Sequence, residues 1–275
     1  MNMKEGYLLL GLGCQYIGDA IDLILTLRKN KDTRPVDILT GSAKEARYAE
    51  SLRVFNRVMH IDVESDPLFG MCKTNFEKKC LLPRLRLEKY LNHEYTMLLD
   101  VDMLCAFPTD AAWDFLKKNN QPVSLLGAKE NAKWHWGYWG EICGRLGTSP
   151  METHGGLIFF NKNYSEKLSR IFGEAEYCFV NYSELGMKRF YEGGAVDEPC
   201  FSYSFSKNGL VPINFSDFPI MTFNHKGTSP LPTKAQTAAL QEGTMSGFIP
   251  FIHMFEKNRG ANFLTLKNRI LSSGY

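Results

Sequence analysis

Asp100 and Asp102 are the residues of this sequence whose type and spacing are best suited to chemistry. They follow the apolar run YTMLL at residues 95–99, which is typical of a buried strand. Side chains two residues apart on an extended backbone point the same way, so both carboxylates can face one cation. Carboxylate oxygens suit Mg²⁺ and Mn²⁺, which keep ligand positions for substrate phosphates. The pair therefore predicts a metal site for a phosphorylated ligand, with a solvated turn as the alternative interpretation.

Strand and helix patterns alternate before this pair. We predict strands at residues 7–12, 36–40, 57–61 and 95–99, separated by helices at residues 18–29, 43–56 and 78–92. This order implies a doubly wound, mostly parallel sheet with right-handed crossovers. Ligands of such sheets bind beyond the carboxyl ends of the strands, where Asp100 and Asp102 fall. The predicted fold class is therefore α/β, with a Rossmann-like central sheet flanked by helices.

The second half of the chain is less regular. A strand at residues 156–161 and a helix around residues 165–172 precede a proline-rich tail. The sequence has no internal repeat, low-complexity tract or clear linker. We therefore predict a single domain over residues 1–275.

Composition narrows the classes of function. The 275 residues are 44% hydrophobic and 23% charged, as in an ordinary globular protein, and the formal net charge is +2. No Lys/Arg run is longer than two or three residues, which argues against a nucleic-acid partner. The densest basic stretch contains Lys78, Lys79, Arg84 and Arg86, and it suits a diphosphate.

The cysteines and the N-terminus indicate where the protein resides. Seven cysteines are scattered singly without a C-x-x-C pair, which favours reduced thiols over zinc ligands or disulfides. The first apolar run is too short for a signal peptide or a membrane anchor. We therefore expect no transmembrane segment and a cytoplasmic location.

Residues 83–108, PRLRLEKYLNHEYTMLLDVDMLCAFP, resemble the corresponding region of glycosyltransferase family 8. Members of that family have a basic residue in a leucine-rich helix, then an apolar strand, then the D-x-D motif. The resemblance implies a GT-A fold, a UDP-sugar donor, Mn²⁺ or Mg²⁺ as cofactor, a glycan or other hydroxyl acceptor and a retaining reaction. It also implies that Arg84 and Val101 contact the donor. Residues 1–108 would then form the nucleotide-binding half and residues 109–275 the sugar and acceptor half.

Two downstream segments extend the resemblance. HGGLIFFN at residues 154–161 is similar to the family's N-x-G-[VL] strand, so Gly155 and Gly156 are expected to let the backbone approach the donor sugar. His154 would hydrogen-bond a sugar hydroxyl.

GGAVDEPCFSYSF at residues 193–205 is similar to the family's D-Q-D segment. Asp197 and Glu198 occupy its first two positions and are the expected catalytic residues, with Glu for Gln and Pro199 in the third position. A general base at Glu198 would imply inversion, whereas an N-cap role is the structural alternative for Asp197.

The remaining expected ligand contacts lie near the two ends of the chain. His253, in FIPFIHMFEKN at residues 248–258, resembles the family's third metal ligand, and Lys257 its diphosphate contact. The family's Gly and Pro-Trp are missing there, and His225 is the competing metal ligand. Near the N-terminus, the resemblance places Gly11, Cys14 and Tyr16 at the nucleotide base and ribose, with Tyr16 stacking on the base. The aromatic loop WHWGYWG at residues 134–140 either lines the acceptor site or packs on the core.

Two other functions stay open on these residues. A haloacid-dehalogenase-like phosphatase would use Asp100 as nucleophile and Asp102 as acid/base, although that class has its motif on the first strand and a later G-D-x-x-x-D, which this sequence lacks. A catalytically degenerate protein would bind a nucleotide sugar without turnover, as Pro199 and the diverged C-terminal segment suggest.

Overall fold

A computed structural model describes residues 4–129, 151–187, 194–214, 221–223, 250–254 and 261–272. Within these ranges the strands are β1 (Glu5–Gly11), β2 (Val36–Thr40), β3 (Arg57–His60), β4 (Tyr95–Leu99), β5 (Met103–Cys105), β6 (Val123–Lys129), β7 (Met151–Asn161), β8 (Ile213–Asn214), β9 (Met221–Phe223) and β10 (Phe251–His253). The α-helices there are α1 (Cys14–Lys29), α2 (Ala43–Leu52), α3 (Leu82–Leu85), α4 (Asp110–Asn119), α5 (Ser165–Val180), α6 (Asp197–Lys207) and α7 (Ala261–Ser272).

The larger sheet of the described residues has seven strands in the order β3-β2-β1-β4-β7-β6-β8. β1 pairs in parallel with β2 and β4, and β2 with β3. β7 runs antiparallel to both of its neighbours, β4 and β6, whereas β6 and β8 are parallel. The expected mostly parallel α/β sheet is therefore confirmed, with β7 as the reversed strand.

A smaller sheet of three strands pairs β5, which follows β4, with β9 and β10 from the C-terminal part of the chain. Its order is β5-β10-β9, with β10 antiparallel to β5 and parallel to β9. In this register His253 lies opposite Met103. The pairing therefore brings a histidine from the far end of the sequence beside the aspartate pair.

β1 lies between two apolar layers. Leu9 packs in one buried cluster with Leu23 of α1, and Leu8 packs in the other cluster with Leu81 and Leu85. A strand covered on both faces needs a continuous apolar run rather than an alternating one, as this segment has. The carboxyl ends of β1 and β4, which pair in parallel, lie together at one edge of the sheet.

The predicted helix at residues 78–92 is wrong as a continuous element. The segment is a π-helical turn at Glu77–Leu81, then α3, then a 3₁₀ turn at Leu87–Tyr90. Pro83 has no amide hydrogen and its ring crowds the preceding turn, so a regular α-helical ladder cannot run through it. π-turns of this kind are frequent at functional sites.

Other element ends also differ from the prediction. α2 stops at Leu52 rather than residue 56, because Arg53 adopts a left-handed conformation with φ 54°. α1 begins at Cys14 and α5 extends to Val180, since their apolar faces continue beyond the predicted bounds. No helix in the described part of the chain is both long and apolar enough to cross a membrane.

Candidate functional site

The aspartate pair lies in a tight turn that links β4 to β5. The amide of Met103 donates to the carbonyl of Asp100 at 3.2 Å, and the amide of Asp100 donates to the carbonyl of Gly156 on β7 at 2.9 Å. The extended backbone expected for residues 100–102 is therefore wrong. The carboxylates of Asp100 and Asp102 converge because the chain turns between them.

His253 completes a cluster of three side chains with metal-binding atoms. Its Nε2 lies 3.1 Å from Asp102 Oδ1 and 3.7 Å from Asp100 Oδ2. The backbone fixes the same neighbours, because the amide of Met254 donates to the carbonyl of Asp102 at 2.9 Å. The sequence predicted Asp100 and Asp102 as metal ligands, the family resemblance favoured His253 over His225 as the third, and the fold brings these three together.

The donor atoms of this cluster fit one divalent cation. They all lie within 4.8 Å of one another. Opposite ligands held at roughly 2.1 Å from one Mg²⁺-sized ion are separated by about 4.2 Å, so the cluster is close to the size of a single site. Two carboxylates with one imidazole are a donor set that Mn²⁺ accepts readily.

Arg84 lies beside this cluster and joins three parts of the chain. Its Nη2 pairs with Asp100 Oδ1, and its Nη1 donates to the carbonyl of Gly155 at 2.8 Å. The same Nη1 lies 3.2 Å from Asp197 Oδ2, at the start of α6. One guanidinium therefore contacts the turn after β4, the strand β7 and the first residue of α6.

The pKa values of Asp100 and His253 are both raised, in part because two carboxylates lie close together in this cluster. Burial raises the pKa of Asp100, the charge of Asp102 adds to this rise, and Arg84 opposes it. Burial lowers the pKa of His253, but its hydrogen bond to Asp102 and the charges of both aspartates outweigh burial and raise it. A bound cation would relieve this repulsion between carboxylates.

Glu198 faces the same space from the first turn of α6. Its Oε1 accepts a hydrogen bond from the amide of Gly155 at 3.4 Å and lies 3.8 Å from His154 Nε2. His154 Nδ1 accepts from the amide of Gly156 at 3.1 Å, so the proton of a neutral His154 is on Nε2, toward Glu198. The backbone of β7 thus orients both side chains.

Asp197 is not an N-cap. Val196 holds the N-cap position of α6, and Asp197 is the first residue of the helix, paired with Arg84.

The two glycines of β7 are packed too closely for a larger side chain. A Cβ on Gly155 would lie 2.6 Å from Asp197 Oδ2, and one on Gly156 would lie 3.0 Å from His253 Nδ1.

A cavity of about 290 Å³ opens at this edge of the sheet. Its walls include the predicted site residues Tyr16, Arg84, Asp100, Val101, Asp102, Gly155, Gly156, Asp197, Glu198 and His253. Among the described residues, the lining contains neither Gly11 nor Cys14. Gly11 instead packs where a Cβ would lie 2.6 Å from Ile38, and Cys14 is exposed at the start of α1. Lys257, His225 and the loop at residues 134–140 lie outside the described residues.

The sequence interpretation missed part of the lining. Phe76 and Cys80 line the cavity on the same segment as Arg84. Burial raises the pKa of the Cys80 thiol to about 11, so it acts as an apolar wall. The spacing 76, 80, 84 is that of one helix face, and it was the signal that could have identified them.

Neither a known protein family nor a curated protein matches this sequence. Solved structures do resemble it. Mouse xyloside xylosyltransferase 1, in its apo form, superposes with a TM-score of 0.57 at 10% identity, covering 93% of this chain and 99% of that one. The galactosyltransferase LgtC, in complex with donor and acceptor sugar analogues, gives 0.57 at 14% identity and covers 95% of each chain.

A third structure extends the comparison. The glycosyltransferase GlyE of Streptococcus pneumoniae TIGR4 gives a TM-score of 0.54 at 11% identity, covering 99% of this chain and 61% of that one. At such identities the likeness concerns the fold. The chain therefore has the mixed α/β, GT-A fold of these glycosyltransferases.

Proposed function

We propose that this protein is a metal-dependent glycosyltransferase that transfers a sugar from a UDP-sugar to a glycan or another hydroxyl acceptor. The observation that carries the proposal is the convergence of Asp100, Asp102, His253 and Arg84 on one cavity at the carboxyl edge of the sheet. The fold is in accord with it, since solved structures of this fold include glycosyltransferases.

In this proposal Asp100, Asp102 and His253 hold Mn²⁺ or Mg²⁺. When bound, that ion neutralises the charge that develops on the leaving diphosphate. Arg84 adds a fixed positive charge, because the pKa of its guanidinium is raised by Asp100 and Asp197 despite burial. Lys257 is the proposed second contact for the diphosphate.

The donor's nucleoside is proposed to lie toward the carboxyl end of β1, within the half formed by residues 1–108. Tyr16, Leu10 and Leu12 line that side of the cavity, so an aromatic ring and two aliphatic side chains are available for a base. Val101 contacts the donor between the two aspartates. The sugar then lies near Gly155.

Asp197 and Glu198 are the proposed catalytic carboxylates, on the half formed by residues 109–275. Asp197 is already paired with Arg84, whereas Glu198 is oriented by an uncharged amide. In the inverting alternative, a carboxylate so placed would act as general base on an acceptor hydroxyl. We propose retention, as the family resemblance implies, and the anomeric configuration of the product, read by NMR, decides between the two.

The test is turnover of a panel of UDP-sugars, followed as UDP release with Mn²⁺ or with EDTA. Wild-type protein is expected to hydrolyse or transfer at least one donor only with the metal present. Asp102→Ala is expected to lose about a hundredfold in turnover, because a charged ligand at the leaving group is removed. Glu176→Gln is the matched control, since Glu176 pairs with Arg86 away from the cavity.

Three results count against the proposal. Full turnover by Asp102→Ala in EDTA contradicts the metal role. A covalent aspartyl-phosphate at Asp100, formed without UDP binding, indicates the phosphatase instead. Metal-dependent UDP binding with no turnover of any donor indicates the degenerate protein.

A further inference from the structure

Glu77 is a buried carboxylate with no place in the proposed chemistry. Its exposed fraction is 1%, and it lies in the π-helical turn between Phe76 and Cys80, which line the cavity. A carboxylate this deeply buried is costly unless hydrogen bonds stabilise its charge. Its partners therefore indicate what it is there to hold.

The hydrogen-bond partners of Glu77 include backbone amides from two segments that are far apart from each other in sequence. Oε2 accepts from the amides of Lys73 and Thr74, the latter at 2.9 Å. Oε1 accepts from the amide of Ala195 at 2.7 Å, across 118 residues of sequence. One carboxylate thus joins the approach to the Arg84 segment to the loop that enters α6.

The two joined segments form two walls of the cavity. Cys80 and Arg84 lie on the helical segment that Glu77 begins, and Val196, Asp197 and Glu198 follow Ala195 directly. Because Ala195 is two residues from Asp197, a shift of its amide moves the start of α6. The hydrogen bond from the Ala195 amide to Glu77 therefore connects these two walls.

Gly194 packs tightly against Thr74 at the same junction. A Cβ built on Gly194 would lie 2.6 Å from Thr74 Oγ1 and 3.1 Å from Thr74 Cγ2. The threonine also accepts from the amide of Glu77 at 3.2 Å through Oγ1. A larger residue at position 194 requires either the Thr74 side chain or the loop to shift.

We propose that Glu77 is a positioning residue that sets Asp197 and Glu198 relative to Arg84, an inference that rests on the proposed glycosyltransferase function. It acts through the Ala195 amide and does not touch substrate. Glutamine cannot replace it, because its NH₂ group must face one of the amide donors. The consequence is a misplaced catalytic pair beside an intact metal cluster.

The experiment measures kcat and KM for Mn²⁺-dependent hydrolysis of the UDP-sugar that wild type turns over, and hydrogen exchange of a peptide spanning residues 194–200. Glu77→Gln is expected to lower kcat by about tenfold to a hundredfold, since misplacement of roughly 1 Å costs that much. The donor KM is expected to change less than about twofold, because the metal cluster and Arg84 remain. Exchange in the peptide is expected to accelerate. Glu176→Gln is the control and keeps wild-type values.

A second pair of variants tests the same spacing if Glu77→Gln fails to fold. Gly194→Ala leaves the Glu77 carboxylate unchanged and is expected to lower kcat in the same way. Adding Thr74→Ala removes both atoms that the new Cβ meets first and is expected to restore most of kcat.

The outcomes separate the inference from the function on which it rests. Wild-type kcat in both Glu77→Gln and Gly194→Ala overturns the positioning role and leaves the glycosyltransferase standing. Unchanged exchange of residues 194–200 in Glu77→Gln overturns the tether. Absence of turnover by wild type with every donor contradicts the proposed function instead, and the positioning role falls with it.

Discussion

Arg84 illustrates at the residue scale how charge is shared in this site. Its side chain is 11% exposed and pairs with Asp100 and Asp197, whose exposed fractions are 24% and 14%. Two partly buried carboxylates depend on one guanidinium. The planar fork is needed as well as the charge, because Nη1 also bonds the carbonyl of Gly155.

Substitution of Arg84 separates the effect of its charge from the effect of its planar shape. Arg84→Ala is expected to reduce the free energy of unfolding by about 3 kcal/mol, the low end for a broken buried pair, because Asp100 keeps some contact with water. Arg84→Lys is expected to recover part of the stability but little turnover. Urea unfolding and UDP release measure the two effects. Equal turnover in Arg84→Lys and wild type would show that charge alone suffices.

Gly155 offers a second test at the same scale. Gly155→Ala places a Cβ against Asp197 Oδ2, so the contacts of Arg84 and Glu198 must shift, and we expect turnover to fall by about a hundredfold. Gly173→Ala is the control, since a Cβ there meets no atom within 4 Å on α5. That change is expected to stabilise the protein by about 0.5–1 kcal/mol without altering turnover. Normal turnover by Gly155→Ala would exclude the close packing as a requirement.

At the scale of elements, the candidate metal cluster joins two segments that are far apart in sequence. Asp100 and Asp102 belong to the turn after β4, and His253 ends β10. A cation bound to all three would tie the smaller sheet to the larger one. The stability of β10 should therefore depend on metal.

Hydrogen exchange can measure that dependence. Mn²⁺ is expected to slow exchange in a peptide that covers residues 250–254, because opening of β10 then requires release of the ion. Exchange in β2, which contributes no ligand to the cluster, serves as the internal reference. Equal slowing of both segments, or of neither, would contradict a site that includes His253.

Patterns of apolar residues in the sequence predicted the elements that depend mainly on nearby residues. β2 and β4 have the predicted bounds, and the aspartate pair follows β4 as expected. The turn at residues 100–102 escaped prediction because the apolar run indicates only where β4 ends, whereas the hydrogen bonds of Asp100 in the turn involve Met103 and Gly156 of the distant strand β7. The π-turn escaped prediction because the leucine spacing of residues 78–92 fits an ordinary helix, and a proline near the start of a helix is acceptable.

Sites assembled over long distances were predicted only in part. The family resemblance and the apolar run before it favoured His253 over His225 as the third metal ligand, but the local sequence could not show that His253 meets the aspartate pair. Glu77 had no signal at all, since its bond to Ala195 spans 118 residues and depends on the final packing. Residue type reveals what a side chain can do, and the fold decides which partner it meets.

At the scale of the molecule, the cavity lies where the carboxyl ends of β1 and β4 meet the antiparallel strand β7. The strand order reverses between β1 and β4, since β2 and β3 lie on one side of β1 and β4 lies on the other, and ligands of open α/β sheets bind at such a switch point. Ligands of the cation come from both parts of the chain that we propose as the nucleotide and acceptor halves. The whole fold is thus needed to build one site.

A ligand that binds this site should stabilise the whole molecule. Mn²⁺ with the correct UDP-sugar is expected to raise Tm more than Mn²⁺ alone, because stabilisation grows with ligand concentration relative to Kd. A thermal-shift screen over UDP-sugars measures the rise and ranks the donors. Equal Tm values with every donor and with none would contradict donor binding.

The most direct measurement of the central claim is equilibrium binding of UDP by titration calorimetry, with Mn²⁺ and with EDTA, for wild type and Asp102→Ala. If Asp100, Asp102 and His253 form the metal centre of a donor site, wild type binds UDP with Mn²⁺ and loses at least about tenfold in affinity with EDTA. Asp102→Ala then binds weakly in both conditions. UDP binding by wild type that is the same with Mn²⁺ and EDTA, and unchanged in Asp102→Ala, would contradict the account.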